Sequence, residues 1–254
     1  MARNTRTRTS LKAGMLALTL AAAGSAYGVN YPLNWLDMSP NAFGATPPSG
    51  SSYFMPGVGM VTITYTTPPM FNTVRANQTP IWGGGSVVNG PDTYTWGTIE
   101  QFGRTNVGPV TPAVQSWDIT YTFPTTLSPG QIVLGVGGLG RRSDVAGAVS
   151  TATVLQNGTF LGEYFGPNNF GANTFTSGPG FFALENSVTG VGGADPHWNT
   201  ALGLVRIDDA ISSLTVRFLQ ASGDGVGLNI AYIPAPSSVA LLGLAGIAAG
   251  RRRR

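Results

Sequence analysis

The chain of 254 residues has no cysteine, one histidine (His197) and only 10% charged residues, set against 36 glycines and 18 prolines. Thiolate nucleophiles, disulfide scaffolds, iron–sulfur clusters and multi-histidine metal centres are thereby excluded, and 42% hydrophobic residues favour a packed, turn-rich fold over disorder. The net charge of +3 is carried by the ends: Arg3, Arg6, Arg8, Lys12 and Arg251 to Arg254 are basic, while the interior holds all 11 acidic residues and no lysine, which leaves no basic groove for nucleic acid.

Residues 1–26 have the three-part layout of a secretory signal peptide. The basic stretch Arg3 to Lys12 precedes the apolar run Ala13 to Ala23, and small residues follow up to Ala26. The run is about 11 residues, short of the ~20 that span a bilayer permanently, so it predicts a helix that is removed rather than an anchor. Cleavage is expected after Ala26, with Gly28 as the other position that fits. No twin-arginine pair precedes the run, which indicates the general secretion route.

Residues 27–233 alternate with a period of two. Val61, Ile63 and Tyr65 interleave with threonines, as do Trp117, Ile119, Tyr121 and Phe123 with Asp118, Thr120 and Thr122. Leu214, Val216 and Phe218, and then Val226, Leu228, Ile230 and Tyr232, repeat the pattern, and all four stretches read as strands. Asn157-Gly158 predicts a two-residue hairpin loop that sets Leu155 opposite Phe160. Pro68-Pro69, Gly83-Gly84-Gly85, Ser128-Pro129-Gly130, Gly178-Pro179-Gly180 and Gly192-Gly193 mark further turns, and Thr46 to Gly59 marks a loop. Many short antiparallel strands with glycine-rich turns predict an all-β fold: a single antiparallel β-sandwich of jelly-roll type, without an internal repeat.

Several motifs in this body suggest chemistry. Gly135-Val136-Gly137-Gly138-Leu139-Gly140 follows Ile132-Val133-Leu134 and has the spacing of a dinucleotide-binding turn. Such a turn must open a helix and lead to an acidic residue closing a second strand, whereas Arg141-Arg142-Ser143-Asp144 leads into Gly147 and a β-branched run ending at Asn157-Gly158, so the motif reads as a glycine-rich strand. A hydrolytic triad would have to use His197 with Asp195 or Asp208, and no Gly-x-Ser-x-Gly elbow is present. Glycoside hydrolysis needs only two carboxylates, for which Glu100, Glu163, Glu185 and the aspartates are candidates, although spacing does not pair them. Asp208-Asp209 and Asp224-Gly225 offer oxygen ligands of the kind Ca²⁺ takes, yet fit solvated turns equally well; no other cofactor is expected. Of the five tryptophans, Trp117 belongs to a core alternation, while Trp82 beside glycines and Trp198 beside His197 are the candidate glycan contacts.

The last 21 residues, 234–254, change character again. Pro234-Ala235-Pro236-Ser237 enforces an extended segment, an uncharged run follows to Gly250, and Arg251, Arg252, Arg253 and Arg254 form a basic stop. As a transmembrane helix the run of about 14 residues would cover only ~21 Å of a ~30 Å hydrocarbon core, which suits a temporary anchor. The segment resembles the PEP-CTERM sorting signal of Gram-negative bacteria, with Ala235 standing where the motif has glutamate. The resemblance implies an exosortase as partner, passage through the inner membrane, cleavage near the motif and delivery to the cell surface or the extracellular space. It also implies association with extracellular polysaccharide. A non-enzymatic structural or binding role is therefore expected, and the alternative is a secreted polysaccharide-active enzyme using paired carboxylates.

Overall fold

The structure, a computed structural model, describes residues 28–38, 47–66, 74–78, 84–97, 102–105, 115–140, 150–166, 171–186, 200–220 and 226–234. Seventeen strands lie within them: β1 (Asn30–Pro32), β2 (Asn34–Trp35), β3 (Ser51–Met55), β4 (Gly59–Tyr65), β5 (Val74–Gln78), β6 (Gly85–Asn89), β7 (Asp92–Trp96), β8 (Phe102–Thr105), β9 (Gln115–Leu127), β10 (Ile132–Gly137), β11 (Ser150–Val154), β12 (Gly158–Tyr164), β13 (Asn173–Gly178), β14 (Phe181–Asn186), β15 (Leu202–Ile207), β16 (Ile211–Gln220) and β17 (Val226–Tyr232). No helix occurs among the described residues.

Three of the four alternations become the inner face of one sheet, and the fourth, β17, lies in the sheet packed against it. Val61 and Ile63 of β4, Trp117, Ile119, Tyr121 and Phe123 of β9, and Leu214, Val216 and Phe218 of β16 are all buried. The intervening hydroxyls face outward, where Thr120 and Thr215 join across strands at 2.8 Å and Ser52 joins Thr62 at 2.8 Å. This seven-stranded sheet, sheet I, runs β13-β14-β11-β16-β9-β4-β3 and is antiparallel throughout. Sheet II, also seven-stranded and antiparallel, runs β12-β15-β10-β17-β8-β5, with β2 paired to β17. Ile132, Leu134 and Val136 of β10 and Val226, Leu228 and Ile230 of β17 join the inner residues of sheet I in one cluster, the packing expected of a β-sandwich.

Four pairs between β10 and β17 are nested. The outermost is β10–β17, in sheet II; β11–β16 follows in sheet I, β12–β15 in sheet II and β13–β14 in sheet I. The chain thus forms one long hairpin folded over between two sheets. At its tip Pro179-Gly180 links paired Gly178 and Phe181, and Gly180 has φ +77°, a conformation that glycine adopts without penalty.

A third layer covers the other side of sheet II. Sheet III, β1-β7-β6, contributes Val87, Tyr94 and Trp96; together with Leu33 and Trp35 they pack on Val133, Leu161, Leu202, Leu204 and Ala231. Its β1–β7 pair is parallel. Asn89 fastens it to β12 by donating from Nδ2 to the carbonyls of Phe160 and Leu161 at 2.9 and 3.0 Å. Because sheet II is covered on both faces, β10 is buried at every position, as a strand between two layers must be.

The Asn157-Gly158 hairpin expected from sequence does not form. β11 pairs with β14 and β16 in sheet I, whereas β12 pairs with β15 in sheet II, so the dipeptide carries the chain from one sheet to the other. Leu155 is 75% exposed, and Phe160 stacks on Phe175 at 5.2 Å instead. The asparagine is used as a hydrogen-bonding hub. Its backbone N–H and Nδ2 donate to the Asp209 carboxylate at 2.6 and 2.9 Å, and its Oδ1 accepts from the Gly180 N–H at 2.9 Å.

Candidate functional site

The parallel β1–β7 pairing sets Tyr31 directly beside Tyr94, and their rings stack with centroids 5.2 Å apart and planes 18° from parallel. Tyr94 is buried and Tyr31 half-buried, so the outer ring rests on a fixed inner one. Facing them is the end of sheet II where β10 begins and β15 and β17 finish. Between the two lies a cleft of about 510 Å³.

The floor of the cleft is polar. Arg206, the penultimate residue of β15, donates from Nε to Asp208 Oδ1 at 2.8 Å; Thr159 donates from Oγ1 to Asp208 Oδ2 at 2.6 Å. Arg206 Nη2 also reaches Thr159 Oγ1 at 3.4 Å. Burial works against the charge on the guanidinium, but hydrogen bonds and attraction from Asp208 and, to a smaller extent, Tyr94 outweigh it and leave the Arg206 pKa raised. Burial likewise raises the Tyr94 hydroxyl, against the opposing pull of Arg206. The ion pair stays accessible, with its side chains 35% and 30% exposed.

The wall is held by the turn before β10. Ser128 donates its N–H to Gln131 Oε1 at 2.7 Å, Gly130 donates to the Ile207 carbonyl at 2.8 Å, and Ile233 donates to the Gln131 carbonyl at 2.8 Å. Gln131 Nε2 completes the frame by reaching Tyr232 Oη at 3.3 Å. Pro234, the first residue of the expected sorting motif, lines the rim. The cleft thus combines an aromatic platform, an accessible ion pair whose charges cancel and a wall pinned by hydrogen bonds.

The residues singled out from sequence fall into two groups. Residues 1–27, Trp82, Glu100, Asp195, His197, Trp198, Asp224, Ala235, Pro236, Ser237 and Arg251 to Arg254 lie outside the described residues. Of the others, Asp208 and Asp209 serve different partners: Asp208 meets Arg206 and Thr159, while the Asp209 carboxyl is drawn below its usual range by the hydrogen bonds from Asn157. Among the described residues no three His, Cys, Asp or Glu side chains converge as a metal site would require. Glu163 lies in sheet II, where Asn173 donates to it from its backbone N–H and from Nδ2, and Glu185 lies in sheet I.

The glycine-rich motif is accounted for by packing. A Cβ on Gly135 would come within 2.6 Å of the Trp35 ring, Gly138 N–H donates to the Thr200 carbonyl at 3.0 Å, and Leu139 N–H donates to Thr200 Oγ1 at 3.1 Å. The Gly138 and Leu139 amides, already paired to Thr200, are not free to cradle a phosphate. Tyr31, Tyr94 and Arg206 do not stand out in the sequence. The alternation Asp92-Thr93-Tyr94-Thr95-Trp96 is a usable signal for one of them, but the parallel pairing that brings in Tyr31 leaves none. No family model matches the chain, and no match is found among curated proteins or solved structures.

Proposed function

We propose that this is an exported cell-surface or extracellular-matrix protein with a structural or binding role, associated with extracellular polysaccharide and sorted by an exosortase. The observation that carries the reading is the order of parts in residues 234–254: a Pro-x-Pro motif, a short apolar run and a terminal block of arginines. On this reading residues 1–26 are the signal peptide, 27–233 the folded domain, and 234–254 the sorting signal, which holds the protein in the inner membrane until processing. The β-ladders are consistent with that division, since β17 ends at Tyr232 and Ile233 is the last buried residue before the motif.

The architecture is read as jelly-roll type because the nested pairs β10–β17 to β13–β14 are those of a long hairpin wrapped over two sheets. A binding role is favoured over the paired-carboxylate enzyme by the engagement of Asp92, Asp118, Glu163, Asp208 and Asp209 with backbone amides or neighbouring side chains. Intact mass spectrometry of protein recovered from the producing cells tests the sorting. Residues before about 27 and after about 236 should be missing, and a mature chain that still carries Arg251 to Arg254 overturns processing.

A further inference from the structure

We infer that the cleft between sheet III and the end of sheet II is a saccharide-binding site, taking a neutral pyranose unit with adjacent ring hydroxyls. It rests on the reading of export only for where the ligand is met; the site itself follows from its geometry.

A volume of about 510 Å³ falls within the ~300–1,000 Å³ range usual for small-ligand sites and holds a sugar ring or two. One side is aromatic. Tyr31 is backed by Tyr94 at 5.2 Å, so its ring is a rigid plate against which the C–H face of a pyranose can lie. Arg206, which reaches the Tyr94 hydroxyl, and Asp208 supply a donor next to an acceptor. Arg206 has five N–H donors, and its bonds to Asp208, Thr159 and the Tyr94 hydroxyl leave others available. The Asp208 carboxylate has about four lone-pair sites; Arg206 and Thr159 take one on each oxygen, which leaves both oxygens able to accept again.

A guanidinium and a carboxylate held side by side match two neighbouring hydroxyls, one acting as acceptor and the other as donor. The same pairing selects against acidic ligands. Asp208 cancels the charge of Arg206 and would face any carboxylate or phosphate brought to it. The pinned turn Ser128 to Gln131 means that the site is formed before a ligand arrives, so little ordering opposes binding.

The test is calorimetric titration of the full secreted protein with three probes: a neutral β-linked glucan hexasaccharide, a neutral mannan hexasaccharide and a galacturonate hexasaccharide. At least one neutral probe should bind, and the acidic one should bind more weakly. Tyr31→Ala should weaken binding by about tenfold or more, as loss of an aromatic anchor does, and Tyr31→Trp should restore it. Arg217→Gln, on the outer face of sheet I and outside the lining of the cleft, should bind like the unaltered protein. Should Tyr31→Ala fail to fold, amide and guanidinium NMR shifts of the unaltered protein decide, since a bound neutral probe must move the Tyr31 and Arg206 signals. Absence of binding by all three probes, tighter binding of the acidic probe, or binding that leaves Tyr31 unaffected overturns the site. None of these outcomes touches the sorting proposal, which the intact mass tests separately.

Discussion

Trp117 and Phe218 face each other across the β9–β16 ladder with ring centroids 4.1 Å apart and planes 15° from parallel, both buried. Removing the indole leaves a void that neighbouring strands cannot close without shifting. Trp117→Ala should therefore cost about 3–5 kcal/mol, read as a lowered midpoint in urea with an unchanged slope. Its neighbour Asp118 points the other way and accepts from Arg217 Nε and Nη2 at 2.8 Å each, which holds its carboxyl below the usual 3.8. A carboxyl depressed in the folded state stabilises above its unfolded pKa and loses that contribution as pH falls through the folded value. Arg217→Gln should thus raise the Asp118 pKa in an NMR titration. The small stability gap between variant and parent at neutral pH should vanish in acid, and an unmoved Asp118 titration would refute the pairing. Trp117 is legible in the sequence because its neighbours two residues away repeat its character. Tyr31 and Arg206 are not, because their partners come from segments far apart in the chain.

Two turns show where local signals succeed and where they mislead. Pro179-Gly180 has the residues a tight hairpin loop needs, and the loop closes β13 on β14 with open space, nothing within 4 Å, where a Cβ on Gly180 would stand. Asn157-Gly158 has an even stronger hairpin signature, yet crosses between sheets. The pairing partners of β11 and β12 lie elsewhere, and the asparagine amide is used to tie Asp209 and Gly180 together. The two glycines should respond to alanine for different reasons. At Gly180 the cost is backbone strain at φ +77°, about 1–2 kcal/mol. At Gly158 a Cβ would lie 2.7 Å from Phe182 and 2.8 Å from Val205, an overpacking that should cost about 1–3 kcal/mol. Combining Gly158→Ala with Val205→Ala should recover part of the loss, whereas the same second change should only add to the loss from Gly180→Ala; urea denaturation of the four variants checks both.

At the scale of the molecule, alternation makes the all-β class legible but not the arrangement. It marks strands with one solvated face, and those of sheet I have one. It does not mark β10, whose Ile132-Val133-Leu134 run is apolar at consecutive positions because sheet III covers what would otherwise be a wet face. Nor does any local pattern announce that β10 pairs with β17, or that Asn30–Pro32 joins β7 in parallel. The cleft inherits that difficulty. It lies where the third layer meets an end of the second, and becomes visible only once both layers are in place.

The outermost nested pair also sets the order in which the fold can be finished. A chain delivered N-terminus first presents β10 to β16 before β17, yet β17 is the strand that fills the gap between β10 and β8. Until it arrives, β10 has one unsatisfied row of amides and carbonyls, the kind of edge that recruits other chains. Closure must wait for residues nearly a hundred positions downstream, so assembly is paced by the arrival of the chain and slowed by the long loops that have to be drawn together. A chain stopped before Val226 should be degraded or aggregate on release, whereas one stopped just after Pro234 should reach protease resistance at the rate of the longer protein; pulse-chase proteolysis of the two distinguishes them.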